Sequence, residues 1–503
     1  MPTLDERDAG ATRATVHRLR PWVAALLRER VAAEPVAAMR IGVALLWLYE
    51  LALLVPWRSY LYPGITASGP LLAVWIVATV CLLIGFRPRV AALVSLVCFI
   101  RFLDYGTLYF RAESYAHLAT FYLVFMDSGR CWSVDSWRRR RQGVSPDHRI
   151  LALPVFAYLL HLGISYFDVG WNHLLLNDSW REGFAVSQSF LQPSAGSHLG
   201  ATLAAAGPLP TVLNWFTIAY EVGFLVVLAV YIGNRRLVHL RTALGIAGVC
   251  FHLGITLFYR LGIFGPLMIA MVLPLLPIRG RRSAGDDPDG PAAKCSPPLA
   301  AGAIVILALA LFASTPVLRL SRSAGIDRVR VLIPKTYRYL GLTGDDRPNN
   351  IFSHGLTSLA FSIETEPRSG DGQLIVWPLL FDSYGRRAGA TEFYPVFTRW
   401  LTVGRPLARA ALDGDPFPPD WQQSLRANLT PVLEKEMRSG GLRHATRVDV
   451  FLRAWDVPET VGQAGTGRTS PRLRLASVTL APPTVVGYEF CAPEPATAAA
   501  CRG

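Results

Sequence analysis

The chain reads as a polytopic α-helical membrane bundle of about nine spans followed by a C-terminal extracytoplasmic β-rich domain. Three observations predict this. Hydrophobic residues make up 51% of the 503 residues and charged residues only 17%, against about 25% charged in an average soluble domain. The apolar residues gather in long runs separated by short arginine-rich stretches. From about Arg319 onward, polar and apolar residues mix instead at the ratio of a water-facing domain.

The predicted spans are residues 37–56, 71–85, 90–102, 115–126, 150–167, 212–232, 243–258, 265–276 and 300–314. Several fall short of the roughly 20 residues that a straight crossing needs, so their ends extend into the flanks, or they tilt or re-enter. Orientation follows from basic residues, because cytoplasmic loops retain Lys and Arg. Arg87 and Arg89, Arg138 to Arg141, Arg235 with Arg236 and Arg241, and Arg279 with Arg281 and Arg282 mark loops two spans apart. The N-terminus is thus expected in the cytoplasm and the C-terminal domain outside, in a bacterial plasma membrane.

Much of the net charge of +14 lies in these loops and in the N-terminal arm. Anionic headgroups of the lipid bilayer therefore account for it better than nucleic acid. Residues 16–36 fit a basic amphipathic helix on the inner leaflet, broken by Pro21 and Pro35, or a merely solvated arm. The first long apolar run follows an unusually long arm without a small-residue cleavage site, so it is read as an anchor rather than a cleaved signal. The expected organisation is a cytoplasmic arm over 1–36, a bundle over 37–277, a cytoplasmic linker over 278–297, a final helix over 298–315 and the outer domain over 316–503.

In the outer domain, residues 357–364, 373–381, 447–454 and 472–480 have the alternation of strands, and Ser383-Tyr384-Gly385 has the composition of a turn. Residues 407–412 and 421–437 read as helical. The seven cysteines form no metal-binding spacing. Cys81, Cys98 and Cys250 are expected to pack within spans, Cys131 and Cys295 to be reduced thiols, and Cys491 and Cys501 to be able to close a disulfide in the tail.

Ionisable side chains within spans are expensive, and they fall here into stripes. Glu113, His117 and Thr120 repeat at helical spacing, as do His161, Ser165, Asp168 and Asn172. Asn214, Thr217 and Glu221 form a third stripe, and His252, Thr256 and Arg260 a fourth. Such faces turn toward the bundle interior, so together they imply a polar cavity opening outward. Singly, most have a plainer reading. His252 suits a helix–helix hydrogen bond, Glu221 a salt bridge to Arg260 or Arg40, and Trp171 and Trp180 interfacial anchoring. Ser133 with Asp135 and the following arginines suits a helix start or a headgroup contact.

Three blocks follow one another along the chain. The first is Ser114-Tyr115, Phe125-Met126-Asp127 and Trp132-Ser133-Val134-Asp135; the second is Tyr166-Phe167 with Gly170, then Trp180 and Glu182-Gly183; the third is Phe251-His252 with Gly262 and Phe264. In this order they resemble the horizontally transferred transmembrane (HTTM) domain, the membrane module of vitamin K-dependent gamma-carboxylase. A β-rich outer domain after the bundle is also similar to the layout of that enzyme. In the carboxylase, the position three residues after the motif glycine is the lysine taken to deprotonate reduced vitamin K; here it is His173. Glu113 stands where the carboxylase has a histidine just before its Ser-Tyr pair.

The resemblance implies a membrane catalyst modifying a lipid-soluble or peptide substrate at the outer face, with a quinone such as vitamin K hydroquinone as its only suggested cofactor. His173 is the expected base, with Glu113 and Asp168 orienting or tuning it. His117, His161, Asn172, Trp180, Glu182, Glu221, His252 and Arg260 are the expected cavity residues. Two rivals stand beside this reading: a non-catalytic maturation or immunity partner of an exported peptide, and a transporter. The transporter ranks last, because the sequence shows no matched halves with broken helices.

Overall fold

Each of the first eight apolar segments folds as a helix in the computed structural model, which describes residues 29–62, 68–105, 111–144, 148–234, 236–278, 359–377, 379–392, 394–459, 462 and 467–491. The linker, the final helix over 298–315, Cys295, Cys501 and hence the tail disulfide, and most of the N-terminal arm lie outside the described residues. A short strand, β1 (Arg30–Ala32), leads into α1 (Glu34–Leu54). The surface helix expected over 16–36 therefore does not extend through residues 30–32. Pro35 fits only the first turn of a helix, where its missing N–H has no partner to lose, so it begins α1 rather than interrupting an earlier helix.

After α2 (Arg58–Leu61) come α3 (Ser68–Ile84), α4 (Pro88–Tyr105), α5 (Arg111–Phe125) and the short basic α6 (Val134–Arg141). Strand β2 (Arg149–Leu151) pairs antiparallel with β1 and enters α7 (Ala152–Leu176). Three short helices, α8 (Asp178–Arg181), α9 (Ala185–Leu191) and α10 (His198–Ala204), lead to α11 (Leu209–Gly233), α12 (Val238–Phe258) and α13 (Phe264–Val272).

Four of these stretches, Glu34–Leu61, Ala152–Leu175, Leu209–Gly233 and Val238–Phe258, are long and apolar enough to cross a membrane unaided, and Ser68–Ile84 and Phe264–Leu275 are shorter apolar helices. Val74, Val77, Val226, Ile246 and Leu257 point outward from their helices and are exposed. A helix that is apolar on both its packed and its open face has lipid as its natural surroundings. The chain is accordingly an integral membrane protein.

The block from Asp127 to Asp135 builds the turn between α5 and α6. Ser133 caps α6, its Oγ accepting from the Ser136 N–H at 2.9 Å. Asp135 Oδ2 accepts from the backbone N–H of Arg87 at 3.0 Å, tying this turn to the one before α4. Arg40 of α1 is fully buried beneath both and donates to the carbonyls of Ser128 and Trp132, each at 2.6 Å.

The C-terminal domain has a four-stranded antiparallel sheet, β3 (Leu359–Ser369), β4 (Ala445–Asp456), β5 (Leu473–Ala481) and β6 (Thr484–Phe490), in that spatial order. Helices α14 (Tyr394–Asp413) and α15 (Trp421–Ser439) lie between β3 and β4 in sequence and bury Trp400, Leu407, Leu425 and Leu429 with Ile363, Val450, Leu452 and Val478 of the sheet. The strand expected at 373–381 does not form. It makes only isolated bridges, at Leu374 and Phe381, its Val376 is 89% exposed, and its Pro378 has no N–H for a ladder. The expected turn at Ser383-Tyr384-Gly385 does form, with Gly385 at φ +74°.

This domain rests on one end of the bundle. Tyr60 hydrogen-bonds Asn428 at 3.2 Å, Lys435 Nζ sits 3.5 Å over the Trp57 ring, and Gln188 and Gln192 donate to the carbonyls of Val457 and Leu359. The basic α6 and the basic residues Arg236 and Arg241 lie at the opposite ends of the helices concerned.

Within the sheet, burial pushes the Asp449 carboxyl up, but the Ser477 hydroxyl, Arg447 at 2.9 Å and Arg368 at 3.3 Å outweigh it and hold the group below the usual carboxylate range. A depressed carboxylate contributes stability that is complete above its unfolded value of about 3.9 and is lost as pH falls through the folded value. Thermal unfolding of the wild type should therefore weaken below about pH 4. In Asp449→Asn that acid-side loss should be smaller; identical acid profiles would remove this role from Asp449.

Candidate functional site

The site begins with a glycine. A Cβ on Gly170 of α7 would lie 2.8 Å from the Glu221 Cβ and 2.9 Å from Val222 Cγ2 of α11, closer than real side chains approach. Glycine here lets α7 and α11 close together, as small residues do between membrane helices. His173, three residues on and hence on the same face, then meets Glu221, with Nδ1 2.9 Å from Oε2. Both are buried, at 1% and 6% exposure.

The His173 ring stacks on Trp180 with centroids 3.9 Å apart and planes 16° from parallel. Trp180 is itself buried, and its carbonyl accepts from Asn214 Nδ2 at 2.9 Å. It is a packing partner of the imidazole rather than the interfacial anchor that its place near a span end suggests. Glu221 is likewise held by His173 and not by Arg40 or Arg260, because Arg40 is committed to two carbonyls near the other end of α1.

Beside this pair, the Tyr166 hydroxyl and His252 Nε2 share a hydrogen bond of 2.5 Å across α7 and α12. His252 thus has the helix–helix bond expected of it. Both pairs line a cavity of about 230 Å³ whose remaining walls are mostly apolar and aromatic, among them Val169, Phe190, Leu213, Phe251, Phe258 and Met268. Phe216 and Cys250 line it too while being exposed on the outer flank of α11 and α12. Cys250 is therefore at the cavity's edge, not packed inside the bundle.

The other expected residues are dispersed. Glu113 lies within electrostatic reach of Glu50 and Tyr62 and does not line the cavity, although Tyr115 two residues later does. His117 packs on Phe99 at 4.4 Å, and His161 Nδ1 bonds the Tyr122 hydroxyl at 3.1 Å. Asp168 and Asn172 are buried on α7 but do not line this cavity, and Glu182 is exposed after α8. Arg260 lines a separate groove outside. Of the expected base and cavity residues, this cavity gathers His173, Trp180, Glu221 and His252, with Thr217 of the third stripe beside them. Tyr166 belongs with them; its motif marked the segment but not its role.

The stretch that carries these motifs has a match among known families. Residues 66–277 match the HTTM domain. The chain carries an HTTM domain. That stretch runs from the start of α3 to the end of the bundle and contains every residue lining the cavity. No curated protein and no solved structure matches the chain.

Chemically, the HTTM bundle holds an imidazole against a carboxylate in a largely apolar enclosure. Glu221, accepting from Nδ1–H, fixes the tautomer and orientation of the His173 ring and would offset the charge of an imidazolium. The tryptophan face adds a further attraction for the cation.

Proposed function

We propose that the protein is a gamma-carboxylase-like membrane catalyst in which His173 acts as general base toward a lipid-soluble substrate at the extracytoplasmic end of the bundle. The observation that carries this reading is the His173–Glu221 pair in the wall of an apolar cavity. An imidazole kept only for packing has no need of a buried carboxylate beside it, whereas a base that must hold a proton does. The alternation of basic loops supports placing the docked domain outside.

A reduced quinone suits the enclosure by chemistry: a flat apolar ring matches the aromatic walls, and a weakly acidic hydroxyl matches the imidazole. Such a group would supply that hydroxyl and reducing electrons. His173 would take the proton, Glu221 would hold the imidazolium, Tyr166 and His252 would orient the ring, and the apolar walls would exclude water.

Occupancy is measurable through Trp180. Menadione added to the purified protein in nanodiscs should quench tryptophan fluorescence saturably, and Trp180→Phe should lose most of the saturable part. Purely linear quenching in the wild type would count against a quinone in this cavity.

A further inference from the structure

Outside the cavity lies a second compartment, a groove of about 640 Å³ between the α9–α10 segment and the C-terminal sheet. Its lining carries Arg260, Arg386, Arg453 and His198 and, among the described residues, no acidic one. Arg386 is paired with Asp382 at 2.6 Å, which leaves its charge largely offset. Arg453, exposed on β4, has no side-chain hydrogen bond or ion pair among the described residues. Arg260 is held in place through its backbone, its N–H donating to Ala195 at 2.7 Å and its carbonyl accepting from Arg387.

Groove and cavity adjoin at Phe190. Phe190 lines both, and the consecutive residues Tyr259 and Arg260 line the cavity and the groove respectively. An apolar chamber and a cationic one thus share part of their lining. Guanidinium groups pair best with carboxylate or phosphate oxygens, and the three oxygens of a phosphate also suit the hydroxyls of Ser383 and Thr469 that line the groove beside Arg453.

We propose that the groove is an anion subsite taking the phosphate-class head of an amphiphile whose apolar body occupies the neighbouring cavity. Only the placing of the body rests on the cavity being the substrate site; the anion subsite stands on the groove alone.

The test is a binding titration on the full chain in phosphatidylcholine nanodiscs with decyl phosphate, decanol and inorganic phosphate as probes. Decyl phosphate should bind at least about tenfold tighter than decanol or inorganic phosphate. The combination of Arg260→Gln and Arg453→Gln should reduce it to the level of decanol, and Arg453→Lys, which keeps the charge but not the fork, should fall between. Arg438→Gln, an exposed arginine of α15 remote from the groove, should change nothing. Equal binding of decyl phosphate and decanol to the wild type would overturn the proposal, and so would an equal loss in Arg438→Gln.

Inorganic phosphate that binds the wild type and is lost in the double variant, with no added affinity for decyl phosphate, would keep the subsite and remove the body from the cavity. Competition from phosphatidylglycerol nanodiscs would assign the head to bilayer lipid, and its absence to a free amphiphile. Because the readout is binding, it is independent of whether His173 transfers a proton.

Discussion

His173→Gln is expected to lose about 10²- to 10⁴-fold in turnover of a reduced naphthoquinone, followed as oxygen uptake by proteoliposomes, while melting close to the wild type. Glutamine keeps an N–H to give Glu221 but has no basic nitrogen, so it separates the base from the packing role. Alanine is the cruder probe. It leaves the Glu221 carboxylate buried without its donor, and part of any lost activity would come from the bundle itself. Lysine restores an ionisable nitrogen on a longer stem and should recover part of the rate. Glu221→Gln should retain the fold but lower the rate substantially, because an amide neither fixes the Nδ1–H tautomer nor stabilises the imidazolium. Full activity in His173→Gln would end the catalytic reading.

Arg40→Met should cost the most stability, about 3–5 kcal/mol, without touching the cavity. Its two donors satisfy the carbonyls of Ser128 and Trp132, and Trp132 sits at φ +46°, a left-handed conformation that a bulky residue holds only when its surroundings fix it. Methionine fills the space but leaves both carbonyls short of a donor in a buried turn. Arg40→Lys keeps a charge but not the fork reaching both oxygens, and should lie between. Thermal unfolding in detergent is the measurement, and a shift of under about 2 °C for Arg40→Met would show that the turn holds itself.

Where the sequence proved readable, the determinants were local. The helices follow from uninterrupted apolar runs, and the cap at Ser133 from a polar side chain just before a helical segment. The sequence also located His173, through the glycine that precedes it. It could not supply the partner. Helical spacing says that Asn214, Thr217 and Glu221 share a face, but the direction of that face depends on how closely α11 approaches α7, which Gly170 decides. Hence spacing alone pairs Glu221 with an arginine as readily as with His173, and it groups Glu113 with a cavity that it does not line. Phe190 and Gln192 sit in short non-periodic helices between spans, where no spacing rule marks a cavity wall or a docking contact. In the outer domain, β4 and β5 emerged from alternation. β6 is a half-open edge strand whose residues follow no clean apolar alternation, and 373–381 alternates without pairing along its length.

The exposed flank formed by Phe216 and Cys250 has a kinetic consequence. A molecule that enters the cavity between α11 and α12 is drawn from the leaflet, so its encounter frequency is set by its mole fraction among lipids rather than by its molarity in the buffer. Turnover should then show surface dilution. Adding inert phospholipid at fixed total substrate slows it, whereas spreading the same proteoliposomes through a larger volume of water leaves the rate per protein unchanged.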